Sequence, residues 1–279
     1  MAKKKITRLL FYILITCVSL LFIFPMLWMI VSSFKIDEHI YRDIGTIFAF
    51  IPRMGDMTLK PYRELLSMYN VFKNMGNSLI YASLTVIFGL MVNSLAGYAL
   101  AKFEFPFKNA VLMLIIALMI VPVEATILPL YMVVFRIKLI NTIAGYLLPF
   151  IANVMNIFLF RQYFLSFPEE LSEAARIDGL GHFKLFYKIV FPISKPIYVT
   201  IGIITFLASW NDFLWPVMAL SNSELMPVQV ALNAIFSDTY NIFTSHTMAA
   251  LTLVTLPVVI LYMFFQKQIV EGVARSGIK

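Results

Sequence analysis

The residues able to do chemistry in this chain fall into two groups, and neither has the spacing of a catalytic site. The first is a charged stretch, 166–196, that includes Glu169, Glu170, Glu173, Arg176, Asp178, His182, Lys184 and Lys188. The second is a set of four residues inside apolar runs: Glu124, Trp210, Asn211 and Asp212. No Ser/Lys or Ser/His pair, paired Asp or His-Glu-x-x-His pattern is evident. His39, His182 and His246 are too far apart to have metal-ligand spacing. Cys17 is the one cysteine; it lies in an apolar run and reads as a small packing or lipid-facing residue. The glycine-rich phosphate loop ending in Gly-Lys-Ser/Thr is missing from the sequence. The expectation is a chain with no catalytic residues, no metal and no cofactor of its own. Docking is the chemistry left to the charged stretch; a gate, a polar path or helix packing is left to the four others.

The charged stretch reads as two short helices joined by a glycine hinge. Ser166 is placed to cap the first, with Pro168 in its first turn. Glu169 and Glu170 then lie near the positive end of the helix dipole. Gly179 is placed to stop the helix in a left-handed turn, where an absent Cβ carries no steric penalty. The second helix is expected over about 182–190, ending before Pro192. Ala174 and Ala175 are small enough for a partner to approach closely, and Glu173 and Asp178 set carboxylates beside them. A rigid, small-faced, charged helix suits contact with another protein; an ordinary structured loop is the other reading of the same residues.

The setting is a membrane. Of the 279 residues, 61% are hydrophobic and only 13% are charged, about half the charge of a soluble domain, and the mean hydropathy is +0.86. Apolar runs predict about six spans at 9–31, 77–101, 110–134, 142–160, 197–220 and 248–265. The chain is read as one membrane domain over 1–279, with 166–196 as a loop outside the bilayer and a short amphipathic helix near 61–69. The first apolar run is too long for a cleaved leader and has no small-residue cleavage site. Placing both termini in the cytoplasm puts 14 Lys and Arg on that side against 8 opposite, six of these in the long segment 32–73. The distribution follows the positive-inside rule and makes 166–196 cytoplasmic. It also explains the net charge of +7 without nucleic acid.

Glu124 and Asp212 each lie about fifteen residues from the cytoplasmic end of their spans, or about 22 Å along a helix. Acidic groups inside spans usually face a bundle interior or a watery cavity. Two readings stand: a gate or path position, joined by Trp210, Asn211 and Trp215, or helix packing around Pro122 and Pro216. The packing reading is preferred.

Glu173-Ala174-Ala175, Asp178-Gly179, Ile189 and Pro192 together closely resemble the EAA loop of ABC-importer permeases. Asn77-Ser78-Leu79, the run Ala96-Gly97-Tyr98-Ala99-Leu100-Ala101-Lys102-Phe103, Phe206, Trp210 to Pro216, Gln266 and Val270-Glu271-Gly272 agree with it in order. The set is similar to the carbohydrate-uptake branch, and specifically to the shorter permease of maltose-type importers. The resemblance covers the chain from the first span to the tail, although 276–279 match the usual ending only loosely. It implies an all-α, type I permease fold in a prokaryotic plasma or inner membrane. It implies four kinds of association: a second related permease in a heterodimer, two cytoplasmic ATPases holding ATP and Mg, an extracytoplasmic sugar-binding protein, and membrane lipid. It also implies that Glu173, Ala174, Ala175, Asp178 and Gly179 form an ATPase-coupling helix. Glu173 would meet a basic group, and Asp178 would either stabilise the turn or form it only locally. The segment 221–247, without Lys or Arg, would face the binding protein.

Overall fold

The longest apolar runs form the longest helices, and most breaks between helices hold a proline, asparagine or glycine. The computed structural model describes residues 2–177, 179–237 and 243–276. All regular elements among the described residues are helical. The helices are α1 (Ala2–Ser32), α2 (Asp37–Asp43), α3 (Lys60–Met68), α4 (Val71–Lys102), α5 (Lys108–Ile120), α6 (Val123–Arg136) and α7 (Ile143–Ile151). They continue as α8 (Val154–Leu165), α9 (Glu169–Ile177), α10 (His182–Ile193), α11 (Lys195–Trp210), α12 (Leu214–Ala219), α13 (Val228–Ser237) and α14 (Thr244–Ser276).

Three helices are long and apolar enough to cross a membrane, within α1, α4 and α14. The count reaches six if each of three bent pairs is one span. α5 and α6 meet at 107°, α7 and α8 at 42°, and α10 and α11 at 78°. The α5–α6 bend has a local cause. Pro122 disfavours helical geometry at Val121, which is extended at φ −76°, ψ 119°. The stretch 110–134, read from sequence as one run, is thus two helices.

The chain divides into two compact units. The first comprises 1–73 and 231–259. Its polar centre is Lys35, 1% exposed, whose Nζ donates to Asp43 Oδ2 at 2.9 Å and to the Phe48 carbonyl at 2.6 Å. Asp43 also accepts from Arg42 Nε at 3.1 Å. The Lys35 ammonium, and then the Arg42 guanidinium, lower the Asp43 carboxyl from the usual 3.8 to about 2. Asp37 accepts from the free amides of Thr244 and Ser245 at the start of α14, each at 2.9 Å.

The second unit comprises 74–230 and 260–279. One of its apolar clusters gathers Tyr98, Phe160, Phe164, Phe167, Leu185, Phe186, Val190 and Ile201. Another gathers Tyr81, Ile127, Val134, Tyr146, Leu147, Trp215, Ala219 and Leu220.

Candidate coupling surface and translocation cavity

The charged stretch is a helix–turn–helix, as expected, but with different ends. Ser166 does not cap α9. Its hydroxyl donates to the Tyr163 carbonyl at 2.7 Å and so finishes α8, while α9 starts after Pro168 with Glu169 and Glu170 in its first turn. Gly179 has φ +76°, and a Cβ built there would meet nothing within 4 Å. The left-handed backbone itself is therefore what calls for glycine. α10 does not stop before Pro192. It opens into a π-helical stretch at Phe186–Val190 and carries Pro192 near its end, the wider turn relieving the clash that proline makes with an α-helix.

Glu173 is exposed on α9. Ala174 and Ala175 lie on its described backbone, but their side chains and all of Asp178 lie outside the described residues.

The base of this loop is fixed to the end of α4. Tyr98 packs edge-on against Phe103 and Phe164, and at 4.9 Å from Phe186. Phe103 meets the His182 ring at 4.9 Å. Lys102 Nζ donates to the Phe167 carbonyl at 3.1 Å. Gly97 makes the approach of α8 feasible: a Cβ there would sit 2.6 Å from Phe160 Cβ and 2.9 Å from the Arg161 amide nitrogen. The run Ala96 to Phe103 is thus the seat of the loop, a role that its apolar composition did not disclose.

The opposite end of α4 is polar and holds a different segment. Asn74 Nδ2 donates to the Met226 carbonyl at 2.8 Å, and Asn77 Nδ2 to the Glu224 carbonyl at 2.9 Å. Ser78 Oγ accepts from the Val228 amide at 2.8 Å, and Tyr81 Oη donates to the Leu225 carbonyl at 2.7 Å. The pair Asn77-Ser78 therefore anchors 224–228.

A cavity of about 560 Å³ lies in the second unit. Glu124, Asn211 and Asp212 line it together with Thr85, Tyr146, Asn153, Asn156, Thr205, Ser209 and Trp215. Trp210 is fully buried and does not line it; its ring stacks on Phe206 at 5.8 Å. The lining includes residues from three helix interruptions: the start of α6, the break between α7 and α8, and the break between α11 and α12. The middle break is closed by Asn93 of α4. Its Nδ2 donates to the Ile151 carbonyl at 3.0 Å and its Oδ1 accepts from the Asn153 amide at 2.9 Å. Asn153 caps α8 by accepting from the Asn156 amide, and Asn156 Nδ2 donates to Thr205 Oγ1 at 3.1 Å on α11. Asn93 satisfies backbone groups that an unbroken helix would satisfy itself. Glu124 and Asp212 make no ion pair among the described residues.

Residues 86–275 match the family described as binding-protein-dependent transport system inner membrane component. The arabinooligosaccharides transport system permease protein AraQ of Bacillus subtilis is 33% identical over 94% of this chain and 92% of its own. The sn-glycerol-3-phosphate transport system permease protein UgpE of Yersinia pestis is 34% identical over 72% of each chain. A solved bacterial ABC transporter involved in importing the acidic polysaccharide alginate has a chain that superposes with a TM-score of 0.85. The superposition covers 96% of this chain and 98% of that one, at 23% identity, a likeness of fold. The chain belongs to the binding-protein-dependent permease family and has its type I fold. It is the membrane-spanning permease subunit of an ABC importer.

Proposed function

We propose that this chain is one of two permeases in an ATP-driven carbohydrate importer of a prokaryotic cell membrane. In this reading α9 docks on a cytoplasmic ATPase. Two ATPase subunits hold ATP and Mg, a second permease completes the path, and an extracytoplasmic binding protein delivers the sugar. Both chain termini are cytoplasmic.

The observation that carries the coupling role is the seat of α9 and α10 on the end of α4. Lys102, Tyr98 and Phe103 tie the loop to a 32-residue helix, about 48 Å long at 1.5 Å per residue. A push on the loop is passed to a rigid rod whose other end holds 224–228 through Asn77 and Ser78. In this reading Glu173, exposed on α9, meets a basic group of the ATPase, and Gly179 sets the angle between the two short helices.

The cavity supports a place on the translocation path. Broken helix backbone at membrane depth is tolerated where it is buried in protein or lines a water-filled space. Three interruptions line one space here. Carbohydrate is favoured as cargo by the nearly full-length likeness to an arabinooligosaccharide permease and by amides, hydroxyls and carboxylates set in a mostly apolar lining.

The test is purification of the tagged chain from its native cells in mild detergent, with every co-purifying subunit identified and ATP-dependent sugar uptake measured in liposomes. Recovery of an ATPase and a second permease, with uptake that needs ATP, is expected. A chain recovered alone, with uptake intact and driven by an ion gradient, would overturn the reading.

A further inference from the structure

We propose that the apolar groove between α4, α11 and α14 is a binding site for an anionic phospholipid of the cytoplasmic leaflet, with one acyl chain in the groove and the phosphate beside Lys195. The inference is independent of the cargo and takes from the proposed function only the side of the membrane.

The groove has a volume of about 440 Å³ and lies wholly within the second unit. Apart from Ser83 and Tyr198, its lining residues carry hydrocarbon side chains or are glycine. Such a lining suits a hydrocarbon chain and disfavours a polar solute. Val199, Gly202 and Phe206 line it from α11. Lys195 stands four residues before Val199 and so continues the same face at the start of that helix. From Lys195 to Phe206 the helix rises about 16 Å at 1.5 Å per residue. That is about half of a ~30 Å hydrocarbon core, the depth of one leaflet.

Two observations set a headgroup at the Lys195 end. Lys195 is exposed and makes no ion pair among the described residues. Beside it, the exposed Tyr187 and Phe191 of α10 stack at 6.2 Å, and the Phe191 ring meets that of the groove-lining Tyr198 at 4.8 Å. Tyrosines collect at the headgroup level of a bilayer, and a lysine at that level attracts anionic lipid.

The rival occupant is a helix of the second permease. Helix interfaces in membranes favour small residues, whereas this groove is walled mainly by Val, Ile, Leu and Phe. A helix about 10–12 Å across does not enter a space this narrow, and a single flexible chain does.

The test places the purified transporter in phosphatidylcholine vesicles that contain a small fraction of a photoactivatable lipid, its diazirine on one acyl chain. Phosphatidylglycerol and phosphatidylcholine forms of the probe are compared at equal amount, and adducts are mapped by peptide mass spectrometry. Groove adducts on 83–90 and 199–206 are divided by those on the exposed Met113 and Leu114 of α5. The corrected labelling is expected to be about fivefold higher with phosphatidylglycerol, as one lysine near the membrane surface would produce. Lys195→Gln should bring the two probes level. Gly202→Leu should remove groove adducts of both, since a Cβ there fits at 3.5 Å from Leu90 and 3.7 Å from Val86 and the rest of the side chain fills the space.

Equal labelling by the two probes in the parent, or a preference that Lys195→Gln leaves unchanged, overturns the proposal. A groove without adducts from either probe also overturns it and assigns the space to a protein chain. If Gly202→Leu fails to assemble, Lys195→Gln, at an exposed position, carries the decision. The permease assignment is judged separately, by co-purification of the ATPase from the same preparation.

Discussion

The Lys102 ammonium donates to the carbonyl of Phe167 over 3.1 Å, joining the end of the longest helix of its unit to the entry of the charged loop. Phe167 is buried and its carbonyl precedes Pro168, which has no amide hydrogen to offer in return. A charged donor is the strongest partner available to that carbonyl. The contact fixes where α9 begins, and therefore where Glu173 points.

Lys102→Met removes this bond but keeps most of the side-chain volume. The expected cost is about 1–3 kcal/mol of local stability. Amide hydrogen exchange over 167–177 should speed by about tenfold or more, while the middle of α4 stays protected. ATPase activity should then persist with weakened sugar uptake. Unchanged exchange in 167–177 would mean that the aromatic seat of Tyr98 and Phe186 suffices.

Gly179 separates backbone strain from crowding, because space around it is open and its φ is +76°. Gly179→Val should impair uptake, since a β-branched residue is a poor fit to left-handed backbone. Gly179→Asn should retain most of it, since asparagine visits that region with little penalty. Equal uptake by the two variants would make the turn incidental. Glu173→Lys is the companion change. It leaves the fold of α9 alone and should reduce co-purification of the ATPase by placing a cation against the expected basic surface.

Gly97 presents the opposite case. Alanine there would meet Phe160 Cβ at 2.6 Å, so α4 and α8 must part. Overpacking of this kind costs about 1–3 kcal/mol. At Gly76, on the same helix, an added methyl would have nothing within 4 Å, and alanine is the better helix former. Gly97→Ala should lower the thermal midpoint of the purified complex, and Gly76→Ala should leave it level or raise it. A matched response would place the close approach elsewhere.

What a sequence discloses follows the range of the forces involved. The apolar runs and the left-handed turn at Gly179 are local, and each leaves a mark in the sequence. The break at Pro122 is local too, but 110–134 reads as one run because its length and apolar composition suit a single span. Ser166 does not act as the expected cap because the same hydroxyl serves the helix before it, through Tyr163, and sequence does not say which helix end claims it. Pro192 does not stop its helix because a π-helical turn accommodates the ring. The cavity is half legible. Glu124, Asn211 and Asp212 stand out as polar residues in apolar runs, and they do share one lining. Trp210 does not join them; it fills the core instead. Asn93 carries no such mark, because its importance depends on a break in another helix, sixty residues away.

The buried pair of the first unit gives the last prediction, and it is asymmetric. Asp43 keeps Arg42 at 3.1 Å and Arg53 at 3.7 Å if Lys35 is lost. Among the described residues, Lys35 keeps only the Phe48 carbonyl if Asp43 is neutralised. Leaving a buried charge without its partner costs about 3–5 kcal/mol. Asp43→Asn should therefore loosen the segment around 35–56 more than Lys35→Met does, as limited proteolysis of the purified complex would report. The pH dependence follows from the same pair. The Asp43 carboxyl is lowered from 3.8 to about 2, so its contribution is complete above about pH 4 and disappears as the pH falls through about 2. Protease resistance should stay level from neutral pH to about 5 and decline below 4, with that acid limb reduced in Asp43→Asn. A limb of equal size in the variant would assign the acid response to other carboxylates.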